Sequence, residues 1–151
     1  MNSDTALTAL AAVLTTLAAA ETSIPSVHRN EPLEKMLEAL DGDAAGYANL
    51  IDGDIQVDNV LIGNGAVYEL TLLPTLEIIV QGDTDADRRA ALSGIVGAVA
   101  TAIDADPALG GACDDTRMSG IQRSGLVTEG VPNLAGLLIL IEVQLTSDQP
   151  F

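Results

Sequence analysis

The stretch that decides the fold runs from Tyr47 to Gly82 and reads YANLIDGDIQVDNVLIGNGAVYELTLLPTLEIIVQG. Apolar and polar residues alternate through several β-rich runs, which is the period of a strand with one buried face. Asp52-Gly53 and Asn64-Gly65 are both dipeptides typical of tight turns. The stretch therefore predicts antiparallel hairpins, and the interval Ile51 to Tyr68 predicts a long hairpin that projects from a small domain.

The last run of this stretch predicts a half-buried strand. Its apolar residues share one face, and these are Leu72, Leu76, Ile78 and Val80. The opposite face carries Thr75, Glu77 and Gln81. Because proline cannot donate a ladder hydrogen bond, Pro74 predicts either an edge strand or a bulge.

Two main helices are predicted, one before and one after this stretch. The first extends from about Asp4 to Ala20, with Ser3 or Asp4 as N-cap, and its leucines recur at helical spacing: Leu7, Leu10, Leu14 and Leu17. The second follows the acidic run that begins at Asp83, and its apolar stripe consists of Leu92, Ile95, Val96, Val99 and Ile103. Both patterns predict helices that pack across the sheet.

Shorter elements complete the pattern. A strand is predicted around Val27, a short helix over residues 32–40, one strand within residues 113–130, and a final strand in LLILIEVQLTS, whose alternation leaves one face wet. No repeat or low-complexity linker divides the chain. The sequence therefore predicts an α+β fold with a mainly antiparallel sheet, in a single domain over residues 1–151.

The charge balance is strongly acidic. Asp and Glu number 22, against one lysine and five arginines, which gives a net charge of −16. Such a field repels phosphate backbones and anionic membranes, so direct gripping of nucleic acid is disfavoured. The N-terminal apolar run lacks a basic n-region and is shorter than a typical membrane span, so we expect no membrane partner. The acidic surface is interpreted as solubilising, with a functional acidic face as the alternative.

The acidic run Asp83, Asp85, Asp87 is the most suggestive candidate for a metal site. An EF-hand loop starting at Asp83 requires Gly at its sixth position and Glu at its twelfth, but these positions hold Arg88 and Gly94. A helix start explains the run better, because Asp83 or Thr84 can cap the first turn while the other carboxylates favour the helix dipole.

Candidates for catalysis are weak. Acidic pairs occur at 41 and 43, 52 and 54, and 114 and 115, and a general acid and base pair would need one of these carboxyls to be buried. Cys113 and His28 could form a thiol dyad, although neither lies in a nucleophile signature. No phosphate-binding loop or other cofactor motif is present, so no cofactor is expected.

Several phrases, taken in order, resemble the small tail-terminator or tail-completion proteins of siphophages and gene transfer agents. They are SDTALTAL near the N-terminus, RNE after it, EIIVQG, DADRRAAL, DPALGGACD and the closing VQLTSDQPF. The resemblance touches both ends and the middle, and residues 40–66 and 115–132 lie outside it. It implies a two-layer α+β sandwich with the helices on one face of the sheet.

The resemblance also implies a function and partners. Proteins of this kind form a ring, typically a hexamer, that caps the tail tube, ends its elongation and presents the head-docking surface. The expected partners are further copies of the chain, the tail tube protein and a head-completion or neck protein, with DNA only passing through the lumen. We therefore expect a structural protein of the virion, assembled in the host cytoplasm and not an enzyme.

A closed ring needs two different patches on each subunit, so residues for both can be named. The projecting hairpin, Ile55 to Val67, is the candidate for one patch, through Ile55, Val57, Val60, Ile62 and Val67. The arginines are candidates for pairing with acids of a neighbour, namely Arg88, Arg89, Arg117 and Arg123. The chain departs from simpler members of the family in its lengthened 51–66 region, which leaves the ring contacts open.

Two alternatives remain at this stage. A head-side neck or head-tail connector protein of similar fold would bind portal or adaptor instead of the tail tube. A small acidic metal-binding or enzymatic domain, built around the acidic loops, is the alternative from a different class.

Overall fold

One long hairpin lies at the centre of a five-stranded sheet. The computed structural model describes residues 1–21, 23–41, 45–123 and 133–151. A single 3₁₀ turn occupies Leu109–Gly111. In chain order the other elements are α1 (Ser3–Ala20), β1 (Val27–Arg29), α2 (Leu33–Asp41), β2 (Gly46–Gly63), β3 (Gly65–Gln81), α3 (Asp85–Ala105), β4 (Asp115–Arg123) and β5 (Leu134–Ser147).

The sheet is mixed but mainly antiparallel. Its strand order is β1-β2-β3-β5-β4. The short strand β1 runs parallel to β2, whereas the other neighbouring strands pair antiparallel. The predicted α+β class with a mainly antiparallel sheet is confirmed.

Helices α1 and α3 pack together on one face of the sheet, as predicted. Both helices contribute to the main core, with Leu10 and Leu14 from α1 and Ile95 and Val99 from α3 almost fully buried. Three strands of the sheet, β2, β3 and β5, contribute aliphatic residues to the same core: Ala48, Leu50, Leu70, Leu72, Leu76, Ile78, Val80, Ile139, Ile141, Val143 and Leu145. The core is therefore aliphatic, as the scarcity of aromatic residues implies.

The N-cap of α1 differs from the one predicted. Asn2 caps the helix, because its Oδ1 accepts a hydrogen bond of 2.8 Å from the backbone N–H of Thr5. The prediction of Ser3 or Asp4 was wrong by one or two positions. Ser3 is instead buried on the sheet side of the first turn.

Helix α2 covers the opposite face of the sheet at one end. Met36 and Leu40 bury themselves against Tyr47 and Ile79, which are direct cross-strand neighbours on β2 and β3. In a strand, successive side chains point to opposite faces, and the adjacent residues Ala48 and Ile78 belong to the main core. The two-layer arrangement is thus extended by a small third layer under α2.

Helix α1 also has the length and composition of a membrane-spanning helix. Its mean hydropathy is 1.4 over 18 residues, and among the described residues it is the single helix that meets this test. One side of it is buried inside the domain, through Ala6, Leu7, Leu10 and Leu14. Packing inside the domain accounts for the apolar residues on that side.

The dipeptide Asp52-Gly53 does not form the predicted turn. Strand β2 continues through it to Gly63, and the hairpin reverses only at Asn64-Gly65. Gly53 has φ of +70° and lies where the β2–β3 register shifts by one residue. A bulge of this type needs the same left-handed glycine that a tight turn needs, so the dipeptide alone does not distinguish the two structures.

The strand pairing is irregular on both sides of Pro74. The register shift between Ile51 and Asp54 on β2 lies across from it, and the pairing of β3 with β5 skips Leu73 and Pro74, where a regular ladder would require a backbone N–H that proline lacks. Strand β3 lies between β2 and β5, so the edge alternative for Pro74 was wrong, and the bulge lies opposite Pro74 on β2 and not within β3 itself.

Candidate interaction surface

The acidic run before α3 forms a helix start. The Oγ1 of Thr84 accepts a hydrogen bond of 3.1 Å from the N–H of Asp87, which makes Thr84 the N-cap. Asp85 pairs with Arg89 one turn later at 2.9 Å. Over residues 1–21, 23–41, 45–123 and 133–151, no group of three or more His, Cys, Asp or Glu side chains converges to hold a metal ion.

Cys113 and His28 do not form the thiol dyad that was considered as a weak candidate. His28 lies on β1 and Cys113 lies two residues before β4, and these strands are the two opposite edges of the sheet. The His28 ring stacks on Tyr47 with a centroid distance of 4.9 Å. Cys113 is buried beside the Thr116 hydroxyl, and burial raises the pKa of its thiol, which disfavours the nucleophilic thiolate at neutral pH.

The acidic pairs are also used separately. Asp52 accepts a hydrogen bond from Arg29, and Asp114 accepts a hydrogen bond from Thr146 at 2.8 Å. Asp43 lies outside the described residues, as does the side chain of Asp41. The described members of these pairs show no shared-proton contact of the kind that a general acid and base pair requires.

The long hairpin ends in an arm, defined as residues 54–69, that exposes aliphatic side chains. Between about two-fifths and half of the side-chain surface is exposed at Ile55, Val57, Val60 and Leu61, and Ile62 near the tip is 87% exposed. Exposed apolar side chains in such number on one element typically mark a binding surface. The arm is therefore the strongest candidate for a functional surface among the described elements.

A bulge at Asp58 places four of these side chains on one face. Val57 lies opposite Leu70 and Val60 lies opposite Tyr68, and these partners are two residues apart on β3, so they share a face. Without the extra residue at Asp58, the spacing of three would turn Val60 to the other side. The arm face thus consists of Ile55, Val57, Val60 and Ile62, on the same side of the sheet as α1 and α3.

Two other apolar residues of the arm lie on its opposite face. Leu61 and Val67 are direct cross-strand neighbours. Of the predicted interface residues on the hairpin, Val67 is therefore the one that the structure separates from the arm face. The bulge itself is stabilised by the hydroxyl of Thr71, which donates a hydrogen bond to Asp58.

The base of the arm is clamped by Arg29, which the sequence did not single out. Its Nε and one terminal nitrogen donate to the two carboxylate oxygens of Asp52 at 2.8 and 2.9 Å. The same guanidinium reaches Thr8 at 3.0 Å and Asp4 at 3.4 Å on α1. One side chain therefore ties α1, β1 and the bulge in β2 together.

The clamp predicts an acid-sensitive contribution to stability. Hydrogen bonding to Arg29 holds the pKa of Asp52 below its ordinary value of 3.8. A carboxyl whose pKa is lower in the folded state stabilises the fold above its unfolded pKa, and this contribution is lost as pH falls through the folded pKa. We expect Asp52→Asn to lower the free energy of unfolding by about 1 kcal/mol at pH 7, since water partly screens the pair.

Urea unfolding at pH 7 and at pH 3 measures this contribution. The difference between the wild type and Asp52→Asn should shrink at the lower pH. Glu38→Gln is the matched control, because its pairing with Lys35 spans two exposed side chains on α2. A gap between the wild type and Asp52→Asn that stays constant across this pH range would contradict the clamp.

The four arginines predicted to meet a neighbour occupy different environments. Arg88 is only 9% exposed and donates to the carbonyl of Gly82 at 2.7 Å, so its guanidinium is used within its own chain. Arg117 is exposed and forms an ion pair with Glu142 directly across from it on β5. Arg89 pairs with Asp85 on the surface of α3, and within the described part of the chain Arg123 has no acidic partner.

A groove separates α3 from the edge strand β4. It encloses about 520 Å³. Leu92, Val96, Ile121 and Leu137 supply its apolar walls, and the charged residues Arg89, Arg123 and Asp85 also line it. Arg88 and Arg117 do not line it. The structure therefore brings together two of the four predicted arginines, beside an exposed isoleucine that sequence reasoning missed.

Ile121 could not be recognised from the sequence. Its strand, RMSGIQR, has no regular alternation, and a register shift between Met118 and Gly120 determines which face Ile121 joins.

No known protein-family model matches the sequence, and a search of curated proteins finds no match.

Proposed function

We propose that the protein is a structural component of a virion that forms a homo-oligomeric ring, acting as the tail terminator. The observation that carries this proposal is the arm, which presents four aliphatic side chains to solvent on one face. Desolvating such a face against another protein is favourable by about 25 cal/mol per Å² of apolar surface. The resemblance of several phrases to tail-terminator proteins supports this choice of assembly.

The arrangement of the surface suits a head-to-tail contact. A cyclic ring joins two different patches of neighbouring subunits, whereas a two-fold dimer joins a patch to itself. The arm and the groove between α3 and β4 differ in shape and charge, as a head-to-tail contact requires. Exposed ion pairs contribute only about 0–1 kcal/mol each, so apolar burial supplies most of the affinity in this proposal.

The acidic surface fits a ring through which DNA passes. A net charge of −16 on each chain repels the phosphate backbone and opposes adhesion of the genome to the lumen. In this proposal the protein has no catalytic role, and its functional site is the subunit interface. The remaining partners are the tail tube protein on one side of the ring and a head-completion or neck protein on the other.

Native mass spectrometry tests the assembly. We expect a mass that is a multiple of 15.5 kDa and corresponds to a closed ring, for the protein alone or after addition of the tail tube protein of the same virus. A protein that stays monomeric in both conditions would contradict the proposal. If that monomer also gains substantial thermal stability in millimolar Ca²⁺ or Mg²⁺, the metal-binding alternative is favoured.

Electron microscopy of particles made without the protein tests the biological role. Tails of uncontrolled length, with no heads attached, are expected for the loss of a tail terminator. Free tails of normal length would point instead to the neck protein that remains the alternative in the same structural class. Supplying the gene from a plasmid is the control, and it should restore normal tails with heads.

A further inference from the structure

Among the described residues, two strand edges of the sheet lack a neighbour. Strand β1 pairs with β2 only from Ala48 to Leu50, so residues 54–63 of the arm pair with β3 alone among the described residues. At the other side of the sheet, β4 pairs only with β5 within the same part of the chain. Each edge leaves a row of backbone N–H and C=O groups available to another strand.

The charges of the two edges are opposite. Residues 45–87, which include the whole hairpin, contain no lysine or arginine, and the arm itself carries Asp54, Asp58 and Glu69. The nine residues of β4 carry Arg117 and Arg123 against one acid, Asp115, and Arg89 lies near them on α3. Arg117 pairs with Glu142 and Arg89 pairs with Asp85, which leaves Arg123 without an acidic partner within the described residues. In so acidic a protein, a strand with more cations than acids is a favourable neighbour for an acidic strand.

The apolar surfaces also correspond. The arm face lies on the helix side of the sheet, and so does Ile121, because Ile121 pairs with the core residue Ile139. Because β2 and β4 run in opposite directions within one subunit, an arm that adds antiparallel to β4 turns its apolar face toward the helix side there. That position brings the arm face over the groove between α3 and β4, where Leu92 and Val96 form the wall.

We propose that the arm of one copy adds as an extra strand to the β4 edge of the next copy. Its Ile55, Val57, Val60 and Ile62 cover the groove, and its acidic residues, on the opposite face, lie on the side of β4 that carries Arg117. The inference rests on the ring-forming part of the proposed function and names the two patches that the ring requires. Every subunit donates one arm and accepts another, so the contact is head-to-tail.

Two single variants separate the patches. Ile62→Asp places a charge on the arm face, and Ile121→Asp places one at the wall of the groove. Both side chains are mostly exposed, at 87% and 51%, so both variants should fold, which circular dichroism and thermal unfolding check. Leu33→Asp is the matched control, because Leu33 is an equally exposed apolar residue on α2, away from both patches.

Native mass spectrometry of the variants, under the condition in which the wild type assembles, gives the first result. We expect Ile62→Asp and Ile121→Asp to remain at the 15.5 kDa mass of a single chain, while Leu33→Asp assembles like the wild type. If Ile62→Asp prevents assembly but Ile121→Asp does not, the arm binds a surface other than the β4 edge, and the inference fails.

Mixing the two defective variants gives the decisive result. The Ile121→Asp chain keeps an intact arm and the Ile62→Asp chain keeps an intact β4 edge, so one productive contact can form between them. We expect a heterodimer and nothing larger, because each chain can take part in that contact once. Rings that form normally from either variant alone would overturn this docking while leaving the proposed function intact. If the wild type assembles into rings, but particles made without the protein have normal tails with heads attached, the proposed function alone is overturned.

Discussion

Replacing Gly53 with alanine should lower the free energy of unfolding by about 3 kcal/mol or more. A Cβ atom at this position would lie 2.0 Å from the carbonyl oxygen of Leu73 and 2.8 Å from its carbonyl carbon. Both atoms belong to the backbone of β3 and cannot move aside without breaking the central hairpin. The φ of +70° adds a strain that alanine, unlike glycine, does not tolerate.

Thermal and urea unfolding measure this effect. For a chain of this size, about 3 kcal/mol corresponds to a fall in Tm of roughly 6–12 °C. Gly97→Ala is the matched control, since Gly97 lies within α3 and nothing stands within 4 Å of its added Cβ. Alanine there should raise stability by about 0.5–1 kcal/mol, because it is the better helix former. Equal effects of the two substitutions would contradict the bulge at Gly53.

The bulge at Gly53 also matters for the arm. It lies where the arm leaves the part of β2 that β1 borders, and bulges increase the local twist of a strand. Arg29 binds Asp52, the residue directly before the bulge, and so connects this point to α1. Arg29 thus holds the base of the arm against the domain.

The periodic elements were predictable because burial imposes a period. The leucine stripe of α1, the aliphatic stripe of α3 and the alternation of β5 all appear where the sequence places them. The Asp52-Gly53 turn failed because local chemistry requires only a left-handed glycine, while the long-range pairing of β2 with β3 decides between turn and bulge. The N-cap failed for a smaller reason, since Asn2, Ser3 and Asp4 are all good caps.

The candidate surface was predictable only in part. Alternating aliphatic residues identify the hairpin, but their face depends on the bulge at Asp58, for which the sequence has no specific signal. The contact of Arg29 with Asp52 joins residues 23 positions apart, and its geometry arises only when β1 pairs with β2. Arg88 is a case in which the sequence suggested too much exposure. An arginine at a helix start is expected at the surface, but Arg88 is buried and donates a hydrogen bond to the Gly82 carbonyl.

Truncating Ile139 to alanine should lower the free energy of unfolding by about 4 kcal/mol. Ile139 is fully buried in the main core and lies on β5, between Leu76 of β3 and Ile121 of β4. The loss combines the transfer of its apolar atoms to water with the cavity that remains under the helices. Urea unfolding, followed by circular dichroism, measures it.

Ile121→Ala is the control for this truncation, because it removes the same atoms from the direct cross-strand neighbour of Ile139. Ile121 is half-exposed, so the isolated subunit should lose less than about 1 kcal/mol. The same substitution should nevertheless weaken assembly, because the proposed docking of an arm buries this side chain. A large loss of subunit stability from Ile121→Ala would make Ile121 a core residue and remove it from the exposed wall of the groove. The paired residues Ile139 and Ile121 thus separate two effects: truncating Ile139 tests the stability of the subunit, and truncating Ile121 tests its assembly with the next subunit.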